Sequence, residues 1–159
     1  MTLYVRPPEP ARLRDVPRLV AILRSFGREA DWLPRRRSRL TDLRMVTLLV
    51  RRGQVQILRD ARGPVGFIAR DGVRVHALYV LARGRGQGAG RRLLDSAKQQ
   101  ANRLELWTAV ANDNARGFYT AQGFAEIQRS DGAGNDENIP DIHMVWQKSR
   151  PAADERHFA

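Results

Sequence analysis

The sequence predicts an α/β fold of the mixed α+β type, built on a largely antiparallel sheet. Three observations lead there. Residues 54–81 read as strand-like runs divided by turn signals, segments of helical periodicity flank them, and a glycine-rich run separates the last of these strands from a helix.

In chain order, Leu3 to Arg6 reads as a short first strand followed by a proline-rich turn. Asp15 stands where a helix N-cap would, Pro17 suits the first turn, and Leu19, Val20, Leu23 and Phe26 recur on one face. A second helix is expected from Leu40 to Arg52, with Leu43, Val46, Leu49 and Val50 at core spacing and Gly53 as its stop. Gln54 to Arg59, Val65 to Arg70 and Val73 to Leu81 form a three-strand meander, broken by Asp60 to Pro64 and by Asp71-Gly72, a strong hairpin signal. Beyond the glycine-rich run, Leu93, Leu94, Ala97 and Ala101 share one helix face. A strand at Arg103 to Ala109, a short helix at Ala115 to Gln122 closed by Gly123, and strands near Phe124 to Arg129 and Ile142 to Gln147 complete the pattern. There is no internal repeat, so residues 1–148 read as one domain and 149–159 as a C-terminal tail without periodicity.

The 159 residues suit a single domain, and 42% hydrophobic content is enough for a core. With no cysteine, disulfides, thiolate metal sites and a cysteine nucleophile are excluded, and no metal is expected. No apolar run approaches the roughly 20 residues needed to cross a bilayer, and Met1 to Pro10 lacks a secretory h-region, so the expectation is a cytoplasmic protein without a membrane partner. The formal charge is +11, concentrated in residues 1–92. Such a field could attract phosphates or nucleic acid. Against a nucleic-acid partner, the densest run, Arg35-Arg36-Arg37-Ser38-Arg39, has only Trp32 beside it, whereas single-strand binders interleave basic and stacking residues repeatedly.

The run Arg83-Gly84-Arg85-Gly86-Gln87-Gly88-Ala89-Gly90 joins a strand to a helix. Such a turn directs several backbone N–H groups at one point, at the positive end of the helix dipole, and so makes an anion site. Walker A requires a Gly-Lys pair, which the sequence lacks. Gly84-x-Gly86-x-x-Ala89 with Glu105 downstream fits a permissive dinucleotide fingerprint, but too little chain follows for further βα units and an antiparallel meander precedes it.

Arg85-Gly86-Gln87-Gly88-Ala89-Gly90, taken with Asn112-Asp113-Asn114-Ala115-Arg116-Gly117-Phe118-Tyr119 and Gly123-Phe124, resembles the GNAT superfamily of acetyl-CoA-dependent N-acetyltransferases. The first block matches the family's Gln/Arg-x-x-Gly-x-Gly/Ala motif; Arg83-x-x-Gly86-x-Gly88 also fits, and the Arg85 register is preferred because Leu93-Leu94 then follows at the usual distance. The resemblance covers about Val65 to Trp146. It implies a central, mostly antiparallel sheet with helices on both faces, and acetyl-CoA as co-substrate.

By that resemblance, backbone N–H groups of Arg85, Gly86, Gln87, Gly88, Ala89, Gly90 and Arg91 hold the coenzyme A diphosphate, with guanidinium help from Arg85, Arg91 and Arg92. A bulged strand before the loop implicates Tyr79 and Val80 in pairing with pantetheine, and the Val80 N–H in stabilising the oxyanion. Asn112 matches the pantetheine-contacting asparagine, and a helix cap is its ordinary alternative. Tyr119 matches the tyrosine that protonates the departing thiolate, with Phe118 expected in the core role. For the base, His76 shares a face with Leu78 by strand alternation, and His143 on the last strand is a second candidate. Asp136, Glu137 and Asp141 lie in the one acidic loop and are candidates for attracting a cationic acceptor. The expected function is acetyl transfer to a primary amine of a small molecule or peptide, by direct attack in a ternary complex. The alternatives are a basic nucleic-acid-binding module and a GNAT-like domain that binds acetyl-CoA without turnover. Family analogy allows a homodimer.

Overall fold

Turn chemistry and side-chain period place the elements close to where the sequence puts them. The computed structural model describes residues 6–33, 37–135 and 137–149. The expected strand at Leu3 to Arg6 falls outside the described residues except for Arg6, which lies in a bend. The first strand instead lies in the proline-rich segment read as a turn: β1 (Glu9–Pro10) pairs antiparallel with the next strand, Glu9 opposite Ile57. Proline is tolerated there because β1 is the sheet edge.

Helix α1 (Val16–Glu29) follows a 3₁₀ turn over Leu13–Asp15. Asp15 occupies the N-cap position without capping the helix. Its carboxylate instead accepts the Arg12 N–H (2.9 Å) and both hydrogen bonds from one Arg59 nitrogen (2.8 and 2.9 Å). Burial works against the charged form, but these donors and their charge outweigh it and hold the carboxyl below its ordinary range. Helix α2 (Arg39–Arg51) is capped by Ser38, whose hydroxyl accepts the Thr41 N–H (3.1 Å).

The meander is β2 (Val55–Asp60), β3 (Gly63–Asp71) and β4 (Arg74–Val80). After the glycine-rich loop come α3 (Ala89–Gln100), β5 (Arg103–Ala109), α4 (Asp113–Ala121), β6 (Ala125–Ser130) and β7 (Asp141–Gln147). Among the described residues the sheet has seven strands in the spatial order β1-β2-β3-β4-β5-β7-β6, and only β4 and β5 run parallel.

Alternation along the strands divides the core into two layers. Leu93, Leu94 and Ala97 of α3 and Tyr119 of α4 pack with Leu58, Val65, Ile68, Leu104, Leu106, Ile142 and Met144 on one face. Leu19, Val20 and Ile22 of α1 and Val46 and Val50 of α2 pack with Val55, Ile57, Phe67 and Ala69 on the other. Both faces therefore carry helices. No helix among the described residues is long and apolar enough to cross a membrane.

Candidate active site

β4 and β5 meet at a single point and then part. Arg74 pairs with Glu105, whose N–H donates to the Val73 carbonyl (2.8 Å), and no further β4–β5 pair follows. From there the facing edges of the two strands have no strand partner among the described residues. The direction of the free β4 groups follows from its other edge. Leu81 N–H donates to the Val65 carbonyl (2.8 Å), so in the alternating antiparallel ladder the next pair, Gly66 and Val80, does not exchange hydrogen bonds. The N–H groups of Val80 and Leu78 consequently point away from β3, into the opening.

One extra residue in β4 keeps this alternation in step with the bridge to β5. Ala69 pairs with Ala77 and Arg70 with Val75, leaving His76 as a bulge. The bulge corrects two expectations. It lies at His76 rather than at Tyr79 and Val80, and it breaks the period on which His76 was assigned to Leu78's face: Val75, Leu78 and Val80 all belong to the α3 layer, while His76 is exposed. Partial burial first, and the Arg74 charge second, lower the His76 pKa below the ordinary imidazole value, against an opposing effect of Asp71.

The opening leads to the N-terminus of α3. Gly86 (φ +70°) and Gly88 (φ +82°) take left-handed conformations that side chains resist, and Gly88 is the N-cap. The first helical hydrogen bond runs from the Arg92 N–H to the Gly88 carbonyl (3.0 Å), so the amides of Ala89, Gly90 and Arg91 precede the helical ladder. Gln87 N–H donates to Gly84 (3.3 Å) and Arg85 N–H to Ala82 (3.2 Å), which closes the turn beneath them. The arginine side chains face protein partners. Arg85 pairs with Glu29 and donates from Nε to the Val80 carbonyl (3.2 Å), Arg91 pairs with Asp95 (3.7 Å), and Arg92 donates to the Arg6 carbonyl (3.2 Å). Arg83 is held by Asp60 (2.9 Å) and the Pro64 carbonyl (3.1 Å), on the β2–β3 hairpin.

Across the opening, Asn112 caps α4, its Oδ1 accepting the Ala115 N–H (3.2 Å). Tyr119 is the more buried of the two adjacent aromatics, reversing the expectation that Phe118 fills the core: its ring packs between Phe118 (5.2 Å) and Phe124 (5.4 Å). Phe118 instead leans on Gly90, where a Cβ would come within 3.3 Å of its ring. Burial, with a further contribution from Tyr79, pushes the Tyr119 phenol well above its ordinary pKa.

On the opposite face, Tyr79 packs against Phe26 (5.0 Å) and Phe67 (5.8 Å), and Phe26 meets the Trp32 ring edge-on (6.1 Å). Above them Arg37 and Glu137, 100 residues apart, form an ion pair at 3.0 Å. Burial raises the Tyr79 pKa; the Arg37 charge opposes this and Glu137 and Asp42 add to it. Asp141 accepts the Ser130 hydroxyl, and Asp136 lies outside the described residues. His143 stacks on Trp107, with Nε2 3.7 Å from a Glu105 oxygen.

This sequence and its fold have counterparts among known proteins. Residues 47–148 match the family described as "Acetyltransferase (GNAT) domain". The chain belongs to the GNAT acetyltransferase family. It is 31% identical over 87 residues to the peptidyl-lysine N-acetyltransferase YjaB of Salmonella typhimurium, covering 55% of this chain and 60% of that protein. The solution structure of apo YjaB from Escherichia coli superposes with a TM-score of 0.72 at 26% identity, over 90% of this chain and 97% of that one. The PaiA N-acetyltransferase of Thermoplasma acidophilum, solved with coenzyme A, shares the fold at 17% identity (TM-score 0.68; 88% and 97% covered).

In this GNAT chain, the opening carries the Val80 amide and ends on the amides that start α3, where Gly90 lies against Phe118 and Val80; Tyr79 pairs with Phe67, so its backbone turns toward β3 and away from the opening, against the expectation that it pairs with pantetheine. The opening leaves Asp141 tied to a hairpin and Glu137 tied to Arg37. Sequence reasoning missed the Leu78 amide, because the bulge that aims it has no local signature. It also passed over Trp107, which directly follows Leu106 and so falls out of phase with the buried alternation of Leu104 and Leu106.

Proposed function

We propose that this protein transfers the acetyl group of acetyl-CoA to a primary amine, by direct attack of the amine in a ternary complex. One observation supports the reading above the others: the β4–β5 opening has strand amides directed into it and ends on the uncommitted amides at the start of α3. The residues present suit the co-substrate. Its diphosphate requires converging N–H donors, and Ala89, Gly90 and Arg91 offer them directly after the left-handed Gly86 and Gly88.

Acetyl-CoA supplies an activated thioester carbonyl when bound. The pantetheine arm takes the place of the missing neighbouring strand and accepts from the amides of β4 that face the opening, and the Val80 amide donates to the carbonyl oxygen as negative charge builds there. As the nitrogen–carbon bond forms and the carbon–sulfur bond breaks, the acceptor must lose a proton and the thiolate must gain one. Tyr119, held protonated by its burial, donates to the thiolate. Asn112 orients the pantetheine arm while capping α4. His76, kept neutral at physiological pH and exposed beside the point where the strands part, accepts the acceptor's proton. With no cysteine in the chain, no acetyl-cysteine enzyme forms. Glu137 reaches a cationic acceptor only by releasing Arg37.

Two measurements test the proposal. Acetyl-CoA should raise the melting midpoint, and coenzyme A thiol should be released when a panel of primary amines is added. A midpoint unmoved by saturating acetyl-CoA refutes the reading; a raised midpoint without thiol release from any amine leaves a binding domain without turnover.

A further inference from the structure

Trp107 has no task in the chemistry above. Its indole is 40% exposed, although Leu104 and Leu106 of the same strand are buried beneath α3. Alternation therefore turns Trp107 to the opposite face, where the sheet carries α1 and α2 only over its β1–β4 half. One side of the ring is occupied: it stacks on His143 with centroids 4.8 Å apart and planes 9° from parallel. His143 is in turn 3.7 Å from Glu105, and Glu105 is 3.2 Å from Arg103. β7 thus braces the indole from behind. Its front borders the opening, since β4 pairs with β5 only at Arg74 and Glu105.

The other lip of the opening presents Tyr79 on the same face, set in place by Phe26 and Phe67. The amides that receive a diphosphate lie with α3 on the reverse face. Whatever meets an acetyl group delivered from that side arrives between two aromatic rings.

We propose that Trp107 is the acceptor platform, and that the acceptor is a primary alkylammonium, an amine at the end of an unbranched aliphatic arm. An indole face attracts an ammonium through its quadrupole and covers methylene groups along the arm. The same negative face disfavours a carboxylate next to the amine, so α-amino acids are poor acceptors here. His143 is a positioning residue that acts through the indole. This rests on the acetyl-transfer reading.

The test is steady-state kinetics on n-alkylamines from methylamine to pentylamine, with glycine and alanine alongside. In Trp107→Ala, KM should rise about tenfold for pentylamine and less than about twofold for methylamine, with kcat held. Trp107→Phe should keep most of the dependence on arm length. His143→Ala should give a smaller rise in KM, and His143→Phe should restore it by stacking alone. An equal KM change at every arm length, a fall in kcat without a KM change, or glycine outperforming pentylamine in the wild type overturns the proposal. The acetyl-CoA melting shift, measured on each variant, distinguishes the two levels. A shift lost in the wild type removes the acetyl-transfer reading itself, whereas a normal shift with no selectivity for arm length removes only the platform.

Discussion

Tyr119 combines two properties that seldom occur together in one side chain, full membership of a packed core and a candidate proton to give away. The ring sits among Phe118 and Phe124, and burial keeps the phenol protonated past the ordinary tyrosine range. Tyr119→Phe preserves the packing and removes the proton, so kcat should fall by about 10²-fold or more while acetyl-CoA binding stays within about twofold. With its pKa raised, Tyr119 should also cause no alkaline loss of activity through pH 10, a point checked in the wild-type pH profile. His76 gives the acid-side counterpart. Its pKa is lowered below 6.5, so as the base it is protonated and inactive only under acid conditions, and kcat/KM should rise with pH through a midpoint under 6.5. His76→Gln should lower the plateau and abolish that limb; a limb that persists unchanged assigns it to another group. The Asn112 cap was legible because capping residues at a strand-to-helix joint are a local signal. The facing of His76 was not legible, because one inserted residue reverses every later side chain on a strand and nothing in Val75-His76-Ala77 marks the insertion.

At the scale of elements, hairpins and helix ends were readable from turn and stop residues: the Asp71-Gly72 turn, Gly53 beyond α2, and Gly123 with φ +90° after α4, whereas the Ser38 cap of α2 went unread. The edge strand at Glu9–Pro10 was not, since proline normally argues against pairing and only the edge position permits it. Two predictions belong here. Gly88→Val places a β-branched residue at φ +82° on the helix N-cap; it should cost about 1–2 kcal/mol of stability and weaken acetyl-CoA binding, read by melting with and without ligand. Arg59→Ala should cost about 2 kcal/mol, because it leaves the 5%-exposed Asp15 carboxylate without its guanidinium and unties the start of α1 from β2. In the wild type the Asp15 pKa lies under its ordinary 3.8, so its stabilisation is full above 3.8 and is lost as pH falls through the lower folded value. Arg59→Ala should flatten this acid limb of the urea midpoint.

The whole molecule is one sheet between two helix layers, with α1 and α2 on one face and α3 and α4 on the other, and its charge of +11 says little about where chemistry is done. The fold class and the chain order of elements after the first strand followed from period and turn signals, but the gap between β4 and β5 is a relation between segments about 30 residues apart, and only three-dimensional pairing reveals it. That gap has a mechanical consequence. With one backbone bridge spanning the seam, the halves are coupled chiefly through the side chains beneath α3, and the seam amides should exchange with deuterated solvent faster than those of β3. A slender guest lying in the seam completes the ladder. Slowed exchange at Leu78 and Val80 on titration, spreading into β5, would reveal acetyl-CoA behaving as an eighth strand, one that the enzyme borrows for each turnover and then releases.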